Sequence, residues 1–150
     1  MAVTIKNGLI ELIRTMKLTT ILFWLARIVA AIIMLQTLYF KFTGAEESVH
    51  IFTAVGMEPW GRIGVGVLEL IASILLIVPP TVWLGSALGV GLMGGAIAMH
   101  LLILGIEVDN DGGQLFTYAL MVLICSLYAF WKSKGQIPSP IKKVLPSFLQ

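Results

Sequence analysis

Four apolar runs divide the chain, at residues 19–42, 62–78, 82–106 and 115–131. A bilayer's hydrocarbon core is about 30 Å thick and takes roughly 20 residues of helix to cross. Each run is close to that length and ends at polar or turn-forming residues. Only 12% of the 150 residues are charged, and the mean hydropathy is +0.96, whereas ordinary soluble domains are about 25% charged. A water-soluble fold of this size could not hide so much apolar surface, so lipid must be the solvent for most of it. The expected fold is all-α: one integral membrane four-helix bundle.

Composition also excludes several functions. A net charge of +2 with no basic stripe gives nucleic acid nothing to bind. Cys125 is the only cysteine, so neither an internal disulfide nor C-x-x-C redox chemistry is available. It lies in an apolar run and reads as a small buried hydrophobe. The first run carries Arg27 and exceeds the 7–15 apolar residues of a signal peptide, so a retained anchor is expected.

Residues 1–18 alternate at helical spacing. Ile5, Leu9, Leu12, Ile13 and Met16 fall on one stripe, with Lys6, Glu11, Arg14 and Lys17 elsewhere. That pattern suits a helix lying in the membrane interface, or else an outward extension of the first span. The membrane domain follows at 19–131 and a basic tail at 132–150. Between the first two spans, residues 45–55 can form a short amphipathic helix ended by Gly56, and Glu58-Pro59 marks a turn. Pro79-Pro80 forces a tight hairpin between spans two and three. Gly85/Gly89 and Gly91/Gly95 are small-xxx-small pairs that let helix backbones approach. Lysine and arginine concentrate in both terminal segments, while the two long loops are net acidic. Both termini are therefore expected in the cytoplasm, with the loops and their short helix outside, as in a bacterial inner-membrane protein.

Within this frame one residue stands out. Glu69 is the only acid inside the four runs, and a carboxylate there costs about 2.5–3.5 kcal/mol on insertion scales. Counting 1.5 Å per residue, Glu69 lies about 10 Å below Arg62 and His100 roughly 9 Å below the end of its span. Lys41 ends the first span, with Gln36 about 7 Å beneath it. Thr117 and Tyr118 open the fourth at a similar level. The four spans thus bring polar side chains to one depth. The arrangement supports a hydrated pocket lined by Lys41, Glu69 and His100, or an interhelical clasp that only holds the bundle together. Such clasps average about 0.6 kcal/mol per hydrogen bond. Either Lys41 or His100 could pair with Glu69. Arg27 lies near the opposite edge, where snorkelling is the plain alternative to a site role.

Other chemistries find no footing. Only His50 and His100 are available as histidine ligands, without H-x-x-x-H spacing, and a bis-histidine haem pair is missing. G-V-G-L-M-G-G at 89–95 superficially resembles a nucleotide loop but lies inside an apolar span with no strand before it. Ser86 and Ser126 have no base at matching depth. No self-contained catalytic or redox centre is expected.

At these residues the chain resembles the DoxX family of small four-span membrane proteins. The resemblance rests on Arg27 early in span one, Lys41 in Y-F-K-F at its end, and Glu69 in R-I-G-V-G-V-L-E-L. The Gly-rich third span ending in A-M-H-L, with His100, completes it. It covers roughly residues 22–131. One departure is Leu38, where members often have a glycine. The resemblance implies a group linked to quinone-dependent oxidoreductase complexes, including a subunit associated with thiosulfate or terminal quinol oxidation. The expectation is a quinone- or lipid-binding subunit without an intrinsic cofactor, serving a membrane oxidoreductase partner. The ligand would meet Lys41, Glu69, His100, Gln36, Tyr118 and Arg27. The alternatives are a non-catalytic assembly protein and a small proton-coupled transporter. The last would need a homo-oligomer, and the paired broken helices typical of transporters are not evident.

Overall fold

The computed structural model describes the backbone of residues 2–143, and side chains from residue 11 onward except Leu12. The expected stripe of Ile5, Leu9 and Leu12 and the last part of the basic tail lie outside this description. All regular structure among the described residues is helical. Helix α1 spans Ala2–Thr43, α2 Glu46–Ala54, α3 Trp60–Ile77, α4 Val82–Met99, α5 Gln114–Ser133 and α6 Ser139–Lys142. Four stretches are long and apolar enough to cross a membrane: Ile13–Thr43, Trp60–Ile77, Pro79–Leu104 and Gln114–Gln136. The N-terminal segment is not set off from the first span by any break; α1 is one helix. At 1.5 Å per residue its apolar part alone is about 46 Å long, against about 30 Å of hydrocarbon.

The four long helices close into a ring: α1 lies against α3 and α5, and α4 lies against the same two. One end of the bundle carries both long loops and α2. The other carries the Pro79–Thr81 hairpin and the terminal segments. These are called the loop end and the terminal end below. The core is made of small and medium residues, Ala30, Met34, Ala72, Leu76, Val82, Met93, Ala119, Val122 and Ala129. Lipid chains are as apolar as leucine, so burial from water does not drive these helices together; close packing does. Gly85 shows how close. A Cβ there would lie 2.6 Å from the backbone nitrogen of Leu76, and one at Gly89 would lie 2.6 Å from Ser126 Oγ. Gly91, Gly94 and Gly95 meet nothing within 4 Å. Of the two expected glycine pairs, therefore, only Gly85/Gly89 seats a helix contact within the chain.

Helix ends follow from local chemistry. Helix α2 finishes in a Schellman turn at Gly56 (φ +71°), with Met57 N–H donating to Phe52 O at 2.8 Å and Gly56 N–H to Thr53 O at 2.9 Å. Helix α1 ends the same way at Gly44 (φ +69°), with Ala45 N–H donating to Phe40 O at 3.1 Å. Helix α3 stops because Pro79 and Pro80 have no N–H to give Leu75 O and Leu76 O. Helix α4 widens into a π turn over His100–Leu104, a feature that hydropathy does not signal. It closes where Gly105 N–H donates to His100 O at 2.8 Å.

Candidate functional site

The centre of the candidate site lies between α1 and α3. Lys41 Nζ sits 2.9 Å from Glu69 Oε2 and 2.9 Å from Thr37 Oγ1. Thr37 Oγ1 is 3.0 Å from the same carboxylate oxygen and 2.8 Å from Met34 O. The hydroxyl has one proton, so it donates to one of these oxygens while accepting from Lys41. Thr37 and Lys41 are four residues apart and share a helix face, which lets both reach the same oxygen. Gly66 permits the approach, since a Cβ there would come within 3.1 Å of the Phe42 ring. The pair is nearly enclosed, with Lys41 13% and Glu69 5% exposed. Each charge offsets the other, which is what makes both tolerable at this depth. Glu69 Oε1 has no hydrogen-bond partner among the described residues.

His100 does not join this pair. Its Nδ1 lies 2.8 Å from Gly105 O, and its ring packs edge-on to Phe116 at 5.5 Å. A carbonyl only accepts, so Nδ1 carries a proton; in the neutral imidazole Nε2 is then an acceptor. The residue is buried and fastens the π turn to the start of α5. Of the two partners expected for Glu69, the structure selects Lys41. Gln36 is exposed and makes no hydrogen bond among the described residues. Tyr118 only accepts from Gln114 Nε2, at 2.9 Å.

Arg27 is placed differently from a snorkelling residue. It is 2% exposed and donates through Nε to Leu76 O at 2.6 Å and through Nη2 to Ile77 O at 2.8 Å. Thr81 Oγ1 donates to Leu75 O at 3.0 Å. The carbonyls orphaned by the two prolines are thus satisfied by two side chains. The guanidinium also lies 3.9 Å from the centre of the Trp24 ring and 5.1 Å from that of Phe23.

Arg62 answers it at the loop end. Its Nη1 donates to Lys41 O at the end of α1, and the guanidinium grips Glu58 at 2.7–3.0 Å. The Arg62 hydrogen bonds hold the Glu58 carboxyl below the usual carboxylate range. The two loops meet where His50 Nδ1 reaches the Asp109 carboxylate at 2.8 and 3.0 Å. Asp111 accepts from the N–H groups of Val108 (3.0 Å), Gly113 (2.8 Å) and Leu115 (2.9 Å), which organises the start of α5. Burial pushes its carboxyl upward, but these backbone donors outweigh that and hold it below its ordinary value.

Two surface hollows lie elsewhere. One, of about 460 Å³, is an open groove along Ile13, Met16, Lys17, Thr20 and Ile21; another, of about 140 Å³, is lined by Thr19, Thr20, Phe23 and Lys132. Both are at the terminal end, and neither touches Lys41, Glu69 or His100.

Four long apolar helices in a closed ring, with ionisable side chains tied between them, define a small multi-pass membrane protein. The DoxX-like family model matches residues 25–127, a stretch that includes Arg27, Lys41, Glu69, His100 and Tyr118. The chain belongs to that family. No curated protein and no solved structure matches it.

Sequence reasoning missed Thr37, Arg62 and the His50–Asp109 contact as parts of these networks. Thr37 was accessible through its four-residue spacing from Lys41, and Arg62 through the same spacing from Glu58. Nothing local connects His50 to Asp109. Ser126 Oγ is the one buried side-chain polar atom among the described residues without a hydrogen-bond partner. It faces Gly89.

Proposed function

We propose that this chain is a non-catalytic membrane assembly subunit: a rigid four-span body whose loops and tails meet a partner complex. One observation carries the reading. Arg27, Lys41, Arg62, Glu69 and His100, the ionisable side chains of the apolar runs 19–42, 62–78, 82–106 and 115–131 other than the thiol of Cys125 and the tyrosines, all hold helix to helix or helix to loop. A ligand site keeps a few convergent polar groups aimed into a hollow. Here the polar groups engage one another or the backbone, and the two hollows described above lie at the other end.

A second reading, the quinone- or lipid-binding subunit of a membrane oxidoreductase, has specific support of its own. Lys41 is partly exposed, and Glu69 retains an oxygen without a partner. A quinone carbonyl could accept from the ammonium in place of Thr37, with Glu69 orienting the donor. Affinity purification from native membranes, with extraction of bound quinones and identification of co-purifying proteins, separates the two. The assembly reading expects stable partner recovery and only trace quinone. Near-equimolar quinone that is lost in Glu69→Gln and Lys41→Met would overturn it in favour of the second.

A further inference from the structure

At the terminal end, α1 and α5 flank the shallow, open 140 Å³ hollow lined by Thr19, Thr20, Phe23 and Lys132. It adjoins the longer groove through Thr20, and Lys17 lines that neighbour. Counting roughly 20 residues of helix across the hydrocarbon from Lys41 at the loop end brings α1 to about residue 21. The same count from Gln114 brings α5 to about residue 134. Thr19, Thr20 and Lys132 therefore share the far edge of the bilayer core, at headgroup level.

The chemistry there is that of an anion site. Among the described residues no carboxylate pairs with Lys17 or Lys132. Lys132 Nζ lies 5.3 Å from the Trp131 ring centre, on a side chain of the kind that anchors at membrane interfaces. Both threonine hydroxyls already donate to Met16 O, at 3.0 and 2.9 Å, so the lysines are the donors left for a phosphate. The threonine oxygens remain acceptors for headgroup hydroxyls. Below them Phe23 leads into exposed apolar surface, including Ile21 and Leu22, suited to acyl chains.

We infer that the Thr19–Thr20–Phe23–Lys132 hollow, with Lys17 beside it, is a site for one anionic glycerophospholipid of the leaflet at the terminal end. The occupant follows from charge complementarity at headgroup depth next to an apolar wall. The inference is independent of the assembly reading and needs only the four-span placement.

The test is native mass spectrometry of the full chain exchanged into mixed micelles of phosphatidylglycerol or of phosphatidylcholine with the same acyl chains. One phosphatidylglycerol should be retained in preference to phosphatidylcholine. Lys132→Gln should weaken that retention about fivefold, the effect of one basic residue near an anionic surface, and Lys17→Gln should weaken it further. Thr20→Phe, which fills the residue common to both hollows without changing charge, should also release the lipid. Lys134→Gln with Lys142→Gln should leave retention unchanged. Equal retention of the two lipids would overturn the site. So would a loss in the Lys134/Lys142 control as large as in Lys132→Gln, since diffuse surface charge would then suffice.

Discussion

The two ends of the α1–α3 pair solve one problem with different chemistry. At the terminal end, α3 stops at two prolines and its last carbonyls are taken by Arg27, a buried cation with aromatic rings beside it and no acid. At the loop end, α1 stops at a left-handed glycine and Arg62 takes Lys41 O while holding Glu58; one helical layer deeper, Lys41 holds Glu69. Every cation of the loop end has a carboxylate. Arg27, the buried cation of the terminal end, has the negative pole of a helix, about half an elementary charge. Removing a cation should therefore leave bare charge at one end and only bare carbonyls at the other.

The largest effect is expected at the loop end. Lys41→Met strands Glu69 in the span and should destabilise the bundle by about 3–5 kcal/mol in reversible unfolding from detergent micelles. The double variant Lys41→Met/Glu69→Leu should recover most of that loss, because no charge is left unpaired. Failure of the double variant to recover would mean that the pair does more than neutralise itself. Arg27→Met should cost about 3 kcal/mol, from two charge-assisted hydrogen bonds, and no removal of an acid elsewhere should rescue it. Arg27→Lys should recover only part, since an ammonium lacks the planar fork that serves two successive carbonyls. Rescue of Arg27→Met by Glu69→Leu would erase the distinction between the ends.

Smaller effects sharpen it. Gly85→Ala places a methyl against the backbone of Leu75 and Leu76, beside the carbonyls that Arg27 holds, and should cost about 1–3 kcal/mol. Gly95→Ala, in open surroundings, should be close to neutral in the same melt. The smallest effect is local. The Asp111 carboxyl is held below its ordinary value, so its contribution is complete above about pH 4 and is lost as the pH falls through the lowered value. Hydrogen exchange should show Val108, Gly113 and Leu115 amides losing protection in that acid range, with the α1–α3 contacts unchanged. In Asp111→Asn the acid step should vanish.

The four spans, the short loop helix and the Pro-Pro hairpin were legible because hydropathy and turn chemistry are local. The Lys41–Glu69 pairing was legible only as one of two alternatives, since axial rise places both residues toward the loop end without choosing between Lys41 and His100. The same count brought His100 to that level, but depth says nothing about azimuth. His100 belongs to a π turn that closes on Gly105 and engages its own loop. Arg27 illustrates a different limit. Its donors complete a helix end some fifty positions later in the chain, and only the prolines at 79 and 80 hint that donors are needed there. The glycines of α4 show a third: spacing marks two pairs, and packing uses one.

That long reach has a consequence for biosynthesis. When α1 alone has left the translocon, Arg27 has no carbonyls to bind, and its charge makes the lone span a reluctant guest in lipid. The missing partner arrives only with the end of α3, so the first two spans should enter the bilayer as a helical hairpin. Chains truncated before Leu76 should fail to integrate stably, whereas chains carried past Thr81 should hold.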